Sequence, residues 1–575
     1  MARRIDKACV LGAGVMGSGI AAHLANAGIK SYLLDIVPPN LTDEEKAKPE
    51  CRNRFALAGI ETAKKFKPAP LFYHEKFASL ITVGNFEDDL EKVSECDLII
   101  EVVVENLEIK RKLFQRMLPH LKWGAIVSSN TSGLSIASMT EGFPDSFKQN
   151  FLVTHFFNPV RFMKLLEIVN GPDTDPEVLE TWVKFGSETL GKGIVFGKDT
   201  PNFVANRIGV YAINKTIQLM MEGDYSIEEV DAVFGKPMGH PGSAAFKTAD
   251  LVGVDTYAHV SKNCYDNLPD DDERPVFQLP EFIHTMVANK WLGGKTKGGF
   301  YKKDVGPDGK KLPKALDWKT CTYRDATRPS FDSVKSTKGV TDCGERIRNL
   351  LNGSDRAQEL AWKSLAWTLA YTAKRLGEIA DDVVNIDNAM KWGFNWELGP
   401  FEVWDSIGVA DSVAKMEAMG LAVPANVKRV LTEGEGTFYK KEGSIRSYFD
   451  FATGTYKSIE KPALTIYLDD LKAEGKVVKD NFGATMIDLG DGVACVEFHT
   501  KMNAIDDDII QMMNEAIDEV ENGDWLGLVI GNHADNFSVG ANIAMVAMAA
   551  EMGNWDMLGE VVSGLQNANM RLKYC

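Results

Sequence analysis

Lys7 to Gly28 reads KACVLGAGVMGSGIAAHLANAG, and the way this stretch folds decides what surrounds it. Lys7-Ala-Cys-Val-Leu11 is a short apolar run of strand composition. Gly12, Gly14 and Gly17 follow as G-x-G-x-x-G, and an alanine-rich helical segment continues to about Ala27. In a strand–turn–helix unit the first glycine permits the tight turn. The second lets backbone approach a pyrophosphate, and the third lets the helix pack on the strand. The helix N-terminus then offers unpaired N–H groups and the positive end of its dipole to the phosphates. Glycine-rich turns alone are common, so the flanking elements carry the reading. The next strand, Ser31-Tyr-Leu-Leu-Asp35, ends in an acid 18 residues beyond Gly17. A carboxylate placed there binds a ribose 2′-hydroxyl and repels a 2′-phosphate, which favours NAD over NADP. The alternative is a structural βαβ unit without ligand.

Strand–helix alternation continues outward. Leu80-Ile-Thr-Val83, Cys96-Asp-Leu-Ile-Ile-Glu-Val-Val-Val104, Ala125-Ile-Val-Ser128 and Phe151–His155 read as strands, and Leu107 to about Leu121 as an amphipathic helix. This pattern predicts an α/β fold with a Rossmann-type doubly wound parallel sheet, whose ligands bind beyond the strand C-termini. Polar residues collect at those ends: Glu105 and Asn106, then Ser129-Asn130-Thr131-Ser132, then His155 and Asn158.

The totals set limits. A chain of 575 residues exceeds one core and predicts about three to five domains. The net charge of −17 argues against a nucleic-acid or membrane-surface binder. Eight cysteines without CxxC pairs give no zinc or disulfide framework, no metal site is expected, and the thiols look intracellular. The N-terminus runs straight into a strand with no signal-peptide stretch, and no apolar window is long enough to span a membrane. A cytoplasmic location is the expectation.

The segment FLVTHFFNPVRFMKLLEIVN, Phe151–Asn170, places His155 and Glu167 in two strands composed for a core. A self-satisfied buried polar pair is the plain reading. A catalytic one is also available. Oxidising a secondary alcohol with NAD requires the hydroxyl proton to leave as hydride moves from the same carbon, and a neutral imidazole can take that proton near pH 7. A carboxylate on the other ring nitrogen fixes the tautomer and stabilises the imidazolium that forms.

The segments GAGVMGSGIA, DLIIEVVVENLEIK, SSNTSGLSI, THFFNPVRFMKLLEIV and KDTPNFVANRIG occur in this order. Over about residues 5–305 they resemble the 3-hydroxyacyl-CoA dehydrogenase family. The resemblance implies His155 as general base with Glu167 as its partner, and Ser132 and Asn206 in contact with substrate. It places Glu105, Lys110, Ser132 and Asn158 along the cofactor. It implies an acyl-CoA substrate, and leaves a thiolase partner or a homo-oligomer open. An insertion from about Pro38 to Ser79, with Arg52, Arg54, Lys64, Lys65 and Lys67 in an expected helical hairpin, corresponds to the family's coenzyme A region. A solvated basic face is the alternative there. Two other functions stand beside the main one: a dehydrogenase of another small hydroxy acid, or a non-catalytic crystallin-like relative.

From Asn202 the pattern turns helical. DAVFGKPMGHPGSAAFKTADLVGVD from Asp231 parallels DNAMKWGFNWELGPFEVWDSIGVAD from Asp387, a duplication about 156 residues apart. His240 in the first copy reads as a turn residue. The expected organisation is an NAD-binding domain over 1–200, a helical C-terminal domain repeat over 201–305, and a linker over 306–350. A second helical repeat follows over 351–433, then a linker over 434–480 containing a small hairpin near Tyr448–Tyr456. From Ala484, two alternating strands, a Lys-Met-Asn-Ala turn, a helix, a buried strand and FSVGA resemble the start of the crotonase fold of enoyl-CoA hydratases. This makes 481–575 an incomplete crotonase-like domain of a bifunctional fatty-acid oxidation protein. By that resemblance the backbone N–H of Ala541 is one oxyanion donor, suited to a thioester enolate. Hydratase activity is expected to be absent from this chain, with apolar surface exposed in its last part.

Overall fold

The computed structural model describes residues 2–305, 310–462, 464–534 and 536–574. The chain divides into two compact units. One runs to Phe438 and includes Phe449–Thr455; the other comprises Tyr439–Tyr448 and the chain from Tyr456 onward.

In the first unit, β1 (Lys7–Leu11), β2 (Lys30–Asp35), β3 (Ile81–Asn85), β4 (Leu98–Glu101), β5 (Ile126–Ser129), β6 (Phe151–Phe156), β7 (Leu165–Asn170) and β8 (Gly193–Gly197) make one sheet. Its order is β3-β2-β1-β4-β5-β6-β7-β8. The strand order reverses between β1 and β4, the crevice where doubly wound sheets bind ligands. Successive residues separate onto opposite cores. Val10, Leu33 and Ile100 face one, while Cys9, Leu34 and Ile99 face the other, so the near-continuous apolar runs of these strands are what a sheet covered on both faces needs. The parallel expectation applies to β1–β6. β7 runs antiparallel to β6, and β8 is parallel to β7.

The insertion departs from the expected helical hairpin. Two one-turn helices, Asp43–Lys46 and Pro49–Arg52, lead into a single helix, α2 (Arg54–Lys65), which packs on α1 (Val15–Asn26). Gly59 allows the approach, since a Cβ there would lie 2.7 Å from Ala13 O. Arg52 pairs with Asp88, Arg54 with Glu45, and Lys64 and Lys65 with Glu61.

The two repeats share a capping device. Asp231 accepts hydrogen bonds from Ala245 N and Phe246 N (3.1 and 2.9 Å). Asp387 accepts from Phe401 N and Glu402 N (2.9 and 3.1 Å). In each copy the carboxylate satisfies N–H groups at the start of the following helix. Their long helices, α4 (Ala205–Glu222) and α6 (Arg356–Arg375), pack together. Tyr211 stacks on Tyr371 at 3.7 Å between ring centroids. His240 is a packing residue: its ring is buried and stacked on Trp396, Nδ1 lies 3.2 Å from Phe234 O, and burial pushes its pKa down to about 4.

The expected linker 306–350 is not one where it is described (306–309 lie outside the described residues). β9 (Tyr301–Val305), β10 (Lys311–Asp317) and β11 (Thr322–Asp325) form an antiparallel sheet, and Cys343–Leu351 is helical. Within 434–480, β12 (Tyr439–Glu442), β13 (Ile445–Asp450) and β14 (Thr455–Ser458) form a second small sheet, of which β13 and β14 cover the expected hairpin region.

In the second unit, β15 (Val477–Asp480), β16 (Ala484–Gly490), β17 (Val493–Phe498) and β18 (Gly527–Gly531) form a four-stranded sheet. Helix α7 (Asp507–Asn522) connects the parallel β17–β18 pair. The strand expected to be buried, β18, is half-exposed. Apolar side chains lie open around it and along the helices that follow, among them Leu526, Phe537, Ile543, Met552 and Trp555. No described helix is long and apolar enough to cross a membrane.

Candidate active site

The glycine turn after β1 is the first part of the site. Gly12 has φ +112°, and a Cβ there would lie 2.6 Å from Val102 O; at Gly17 a Cβ would lie 1.8 Å from Gly12 O. The protein's own backbone therefore demands both glycines. Gly14 differs, because its φ of −64° and ψ of −170° suit any residue and a Cβ would meet nothing within 4 Å. Neither conformation nor packing requires glycine at 14, and the open space in front of it fits a dinucleotide pyrophosphate. The first bond of α1 is Ser18 N to Gly14 O at 2.9 Å, leaving the N–H groups of Val15, Met16 and Gly17 without partners inside the helix. Asp35, at the end of β2, accepts from Ala13 N at 2.6 Å and from Ile36 N at 2.6 Å. The carboxylate is tied to the turn, and each oxygen keeps a lone pair for a ribose hydroxyl.

A buried ionic group lies across the crevice at the end of β4. Glu101 is fully buried and accepts from Lys110 Nζ (2.8 and 3.0 Å), Ser129 Oγ (2.6 Å) and Val103 N (2.7 Å). Lys110, on α3 (Leu107–Met117), is itself buried and also lies 3.4 Å from Glu105. Glu105 accepts from Thr131 Oγ1 at 2.5 Å, Ser132 N at 2.9 Å and Ser132 Oγ at 3.3 Å. Burial acts to raise the Glu105 pKa, but the Lys110 charge with the Thr131 and Ser132 donors outweighs it and holds the carboxyl below its ordinary range. Lys110 thus supports Glu105 from beneath rather than presenting its ammonium to the crevice. Replacing Lys110 with methionine strands the Glu101 charge, and we expect a loss of about 3–5 kcal/mol in chemical denaturation; a change under 1 kcal/mol would contradict this account of the pair.

His155 and Glu167 stand directly opposite each other on β6 and β7. Nδ1 lies 2.6 Å from Glu167 Oε2, with the histidine 6% exposed and the glutamate 0%. Glu167 Oε1 accepts from Ala205 N at 2.8 Å and Val204 N at 3.2 Å. The carboxylate therefore caps α4, whose dipole favours its charge. Phe157 and Phe203 flank the imidazole, with centroids at 4.6 and 5.7 Å. Nε2 has no hydrogen-bond partner among the described residues, so one ring nitrogen is oriented and the other is left for a ligand.

The other expected residues fall around this pair. Asn206 follows Ala205 in the first turn of α4 and is half-buried. Ser132 is fixed to Glu105, in the loop whose Asn130 Oδ1 accepts from Phe156 N at 2.9 Å. Asn158 is exposed in the loop after β6. Ala541 belongs to the other compact unit. There, Ile505 N donates to Gly540 O and Asn542 N donates to Ile505 O, while Ala541 N has no partner among the described residues. Asn130 and Thr131 belong to the polar cluster expected at the strand ends; Glu101 does not, although an acid inside the apolar Cys96–Val104 run is a readable signal for it.

Residues 7–200 match the model of the 3-hydroxyacyl-CoA dehydrogenase NAD binding domain, and residues 203–303 match that of the family's C-terminal domain. The sheet, its glycine turn and the matched NAD-binding domain define an NAD-dependent dehydrogenase. Over its whole length the chain is 48% identical to Bacillus subtilis Probable 3-hydroxyacyl-CoA dehydrogenase, covering 72% of that protein. It is 31% identical to a Rickettsia felis protein provisionally named a fatty acid oxidation complex trifunctional enzyme, covering 74% of it. The crystal structure of Escherichia coli 3-hydroxybutyryl-CoA dehydrogenase shares the fold at 20% identity, with a TM-score of 0.54 over 76% of this chain and all of that one. The chain belongs to the 3-hydroxyacyl-CoA dehydrogenase family.

Proposed function

We propose that the protein oxidises (S)-3-hydroxyacyl-CoA to 3-ketoacyl-CoA as a step of fatty-acid β-oxidation. The observation that carries this reading is the buried His155–Glu167 pair, with Nε2 unpartnered, in the sheet that bears the glycine turn. NAD, when bound, supplies the acceptor for the hydride leaving C3. Gly14, the first-turn N–H groups of α1 and Asp35 would hold its pyrophosphate and ribose, with Glu105 and Asn158 along its length and Lys110 holding Glu105. His155 Nε2 takes the hydroxyl proton. Glu167, fixed by the start of α4, keeps Nδ1 protonated and stabilises the imidazolium. Ser132 and Asn206 hydrogen-bond the substrate oxygen and orient the thioester. The ion pairs of Arg52, Arg54, Lys64 and Lys65 are surface pairs of small worth, which coenzyme A phosphates can displace. NADH formation from 3-hydroxybutyryl-CoA tests the reading, and turnover of the free acid in preference to the thioester contradicts it.

The R. felis relative's name supports extending to this chain a place in a fatty-acid oxidation complex; a thiolase partner or a homo-oligomer, and a cytoplasmic location, belong to the same proposal. We further read residues 481–575 as crotonase-like, with the Ala541 N–H offered to a thioester oxygen; the strand–helix–strand path β17–α7–β18 supports this. On this reading the second unit offers one backbone donor, and a single backbone donor does not by itself hydrate an enoyl group. Crotonyl-CoA incubated with the 575-residue chain should therefore stay unhydrated, and turnover at an ordinary enzyme rate refutes that expectation.

A further inference from the structure

The turn that delivers two N–H groups to Glu167 is built from an unusual backbone. Asn202 and Phe203 are consecutive, neither is glycine, and both are left-handed, with φ of +62° and +49°. L-residues rarely adopt this conformation, and asparagine is among the few that do so readily. Both residues are fully buried. The turn swings Val204 N and Ala205 N onto Glu167 Oε1 and sets the Phe203 ring beside His155.

Asn202 also reaches out of the turn. Its Nδ2 donates to Val260 O at 3.2 Å and to Cys264 Sγ at 2.8 Å, both on α5 (Val254–Asn267) of the helical repeat. The same helix meets the substrate-contact loop. A Cβ on Gly133, the residue after Ser132, would lie 3.0 Å from Asn263 Oδ1, 3.0 Å from Asn202 N and 3.1 Å from Asn202 Oδ1. Both amide oxygens are buried without a hydrogen-bond partner among the described residues. The Asn202 amide is thus held between α5 and the Ser132 loop.

We propose that Asn202 is a positioning residue for the dehydrogenase reaction. It ties α5 to the left-handed turn, so one helix registers both the N–H groups that orient Glu167 and the corner that carries Ser132. The inference rests on the function proposed above for the His155–Glu167 pair. Asn202 acts through Glu167 and does not itself touch reacting atoms.

Asn202→Gly is the informative variant, because glycine accepts the left-handed backbone while removing the tether. With 3-hydroxybutyryl-CoA, kcat should fall about tenfold to a hundredfold, the scale of a roughly 1 Å misplacement at a reacting centre. NAD affinity should change less than about twofold, and the acidic limb of the pH–rate profile should move. A merely structural role would leave that limb in place. Hydrogen exchange of the peptide over residues 203–208 reads the turn without any substrate and should be severalfold faster in the variant. Unchanged exchange, or wild-type kcat with an unmoved pH profile, overturns the proposal. Failure of the wild type to turn over 3-hydroxybutyryl-CoA counts against the function instead, and the exchange measurement still decides the role of Asn202. If Asn202→Gly does not fold, Cys264→Ala removes one of the two acceptors, and exchange at the turn as slow as in the wild type overturns the proposal equally.

Discussion

His155→Ala is expected to lower kcat for NAD-linked oxidation of 3-hydroxybutyryl-CoA by roughly a hundredfold or more, within the 10²–10⁴ range of a positioned general base. Three features of the ring's surroundings lead to this figure. Nδ1 is committed to Glu167 at 2.6 Å, which fixes the tautomer that leaves Nε2 able to accept a proton. The carboxylate is anchored by two backbone N–H groups, so it cannot swing away as positive charge develops on the ring. Phe157 and Phe203 exclude water and strengthen the charge–charge attraction in the transition state. NAD binding should survive, since the ring is not part of the glycine turn. A variant that keeps most of its rate would end the general-base assignment and return the pair to a structural role. That comparison also separates the main reading from a crystallin-like one, for which the wild type itself would be inert.

The second large effect should divide two glycines of a single turn. Gly14→Val should weaken NAD binding by roughly a hundredfold, about 2.7 kcal/mol, and cost no more than about 1 kcal/mol of stability, the scale of a poorer helix N-cap. The site accepts a side chain in conformation and in packing, but the branched group occupies the space a pyrophosphate needs. Gly17→Ala should do the reverse. Its methyl group would sit 1.8 Å from Gly12 O, on backbone that cannot yield, and the cost falls on folding, about 1–3 kcal/mol or beyond. Thermal melts with and without NAD on both variants check the pair. If Gly14→Val proves as unstable as Gly17→Ala, the open space in front of residue 14 is not what the glycine serves.

The glycine turn and the strands of the sheet were legible because buried parallel strands and G-x-G-x-x-G have fixed periods and spacings. The reversal of β7 and β8 was not, since an apolar run such as Leu165–Val169 carries no mark of direction. β10 and β11 read as linker because their lysine, proline, aspartate, threonine and arginine residues show no apolar alternation. β18 was expected to be buried on its apolar Leu-Val-Ile core, yet those side chains remain half-exposed. At the site, His155 and Glu167 stood out as polar residues in strands composed for a core. Glu101 carries the same signal, but its partner Lys110 lies on the next helix, and sequence spacing alone does not bring the two together. Asn202 had no signal, because a left-handed φ leaves no pattern in the sequence.

The antiparallel meeting of β6 and β7 acts as a ruler for the chemistry. Residues 155 and 167 share a face only because they are opposite each other across two adjacent strands, and side chains switch faces at every step along a strand. A pairing displaced by a single residue would send the carboxylate to the far side of the sheet and leave the imidazole without its anion. The connecting segment Phe157–Lys164 sets Phe157 against the imidazole, and any change in its length has to be absorbed before the hairpin closes.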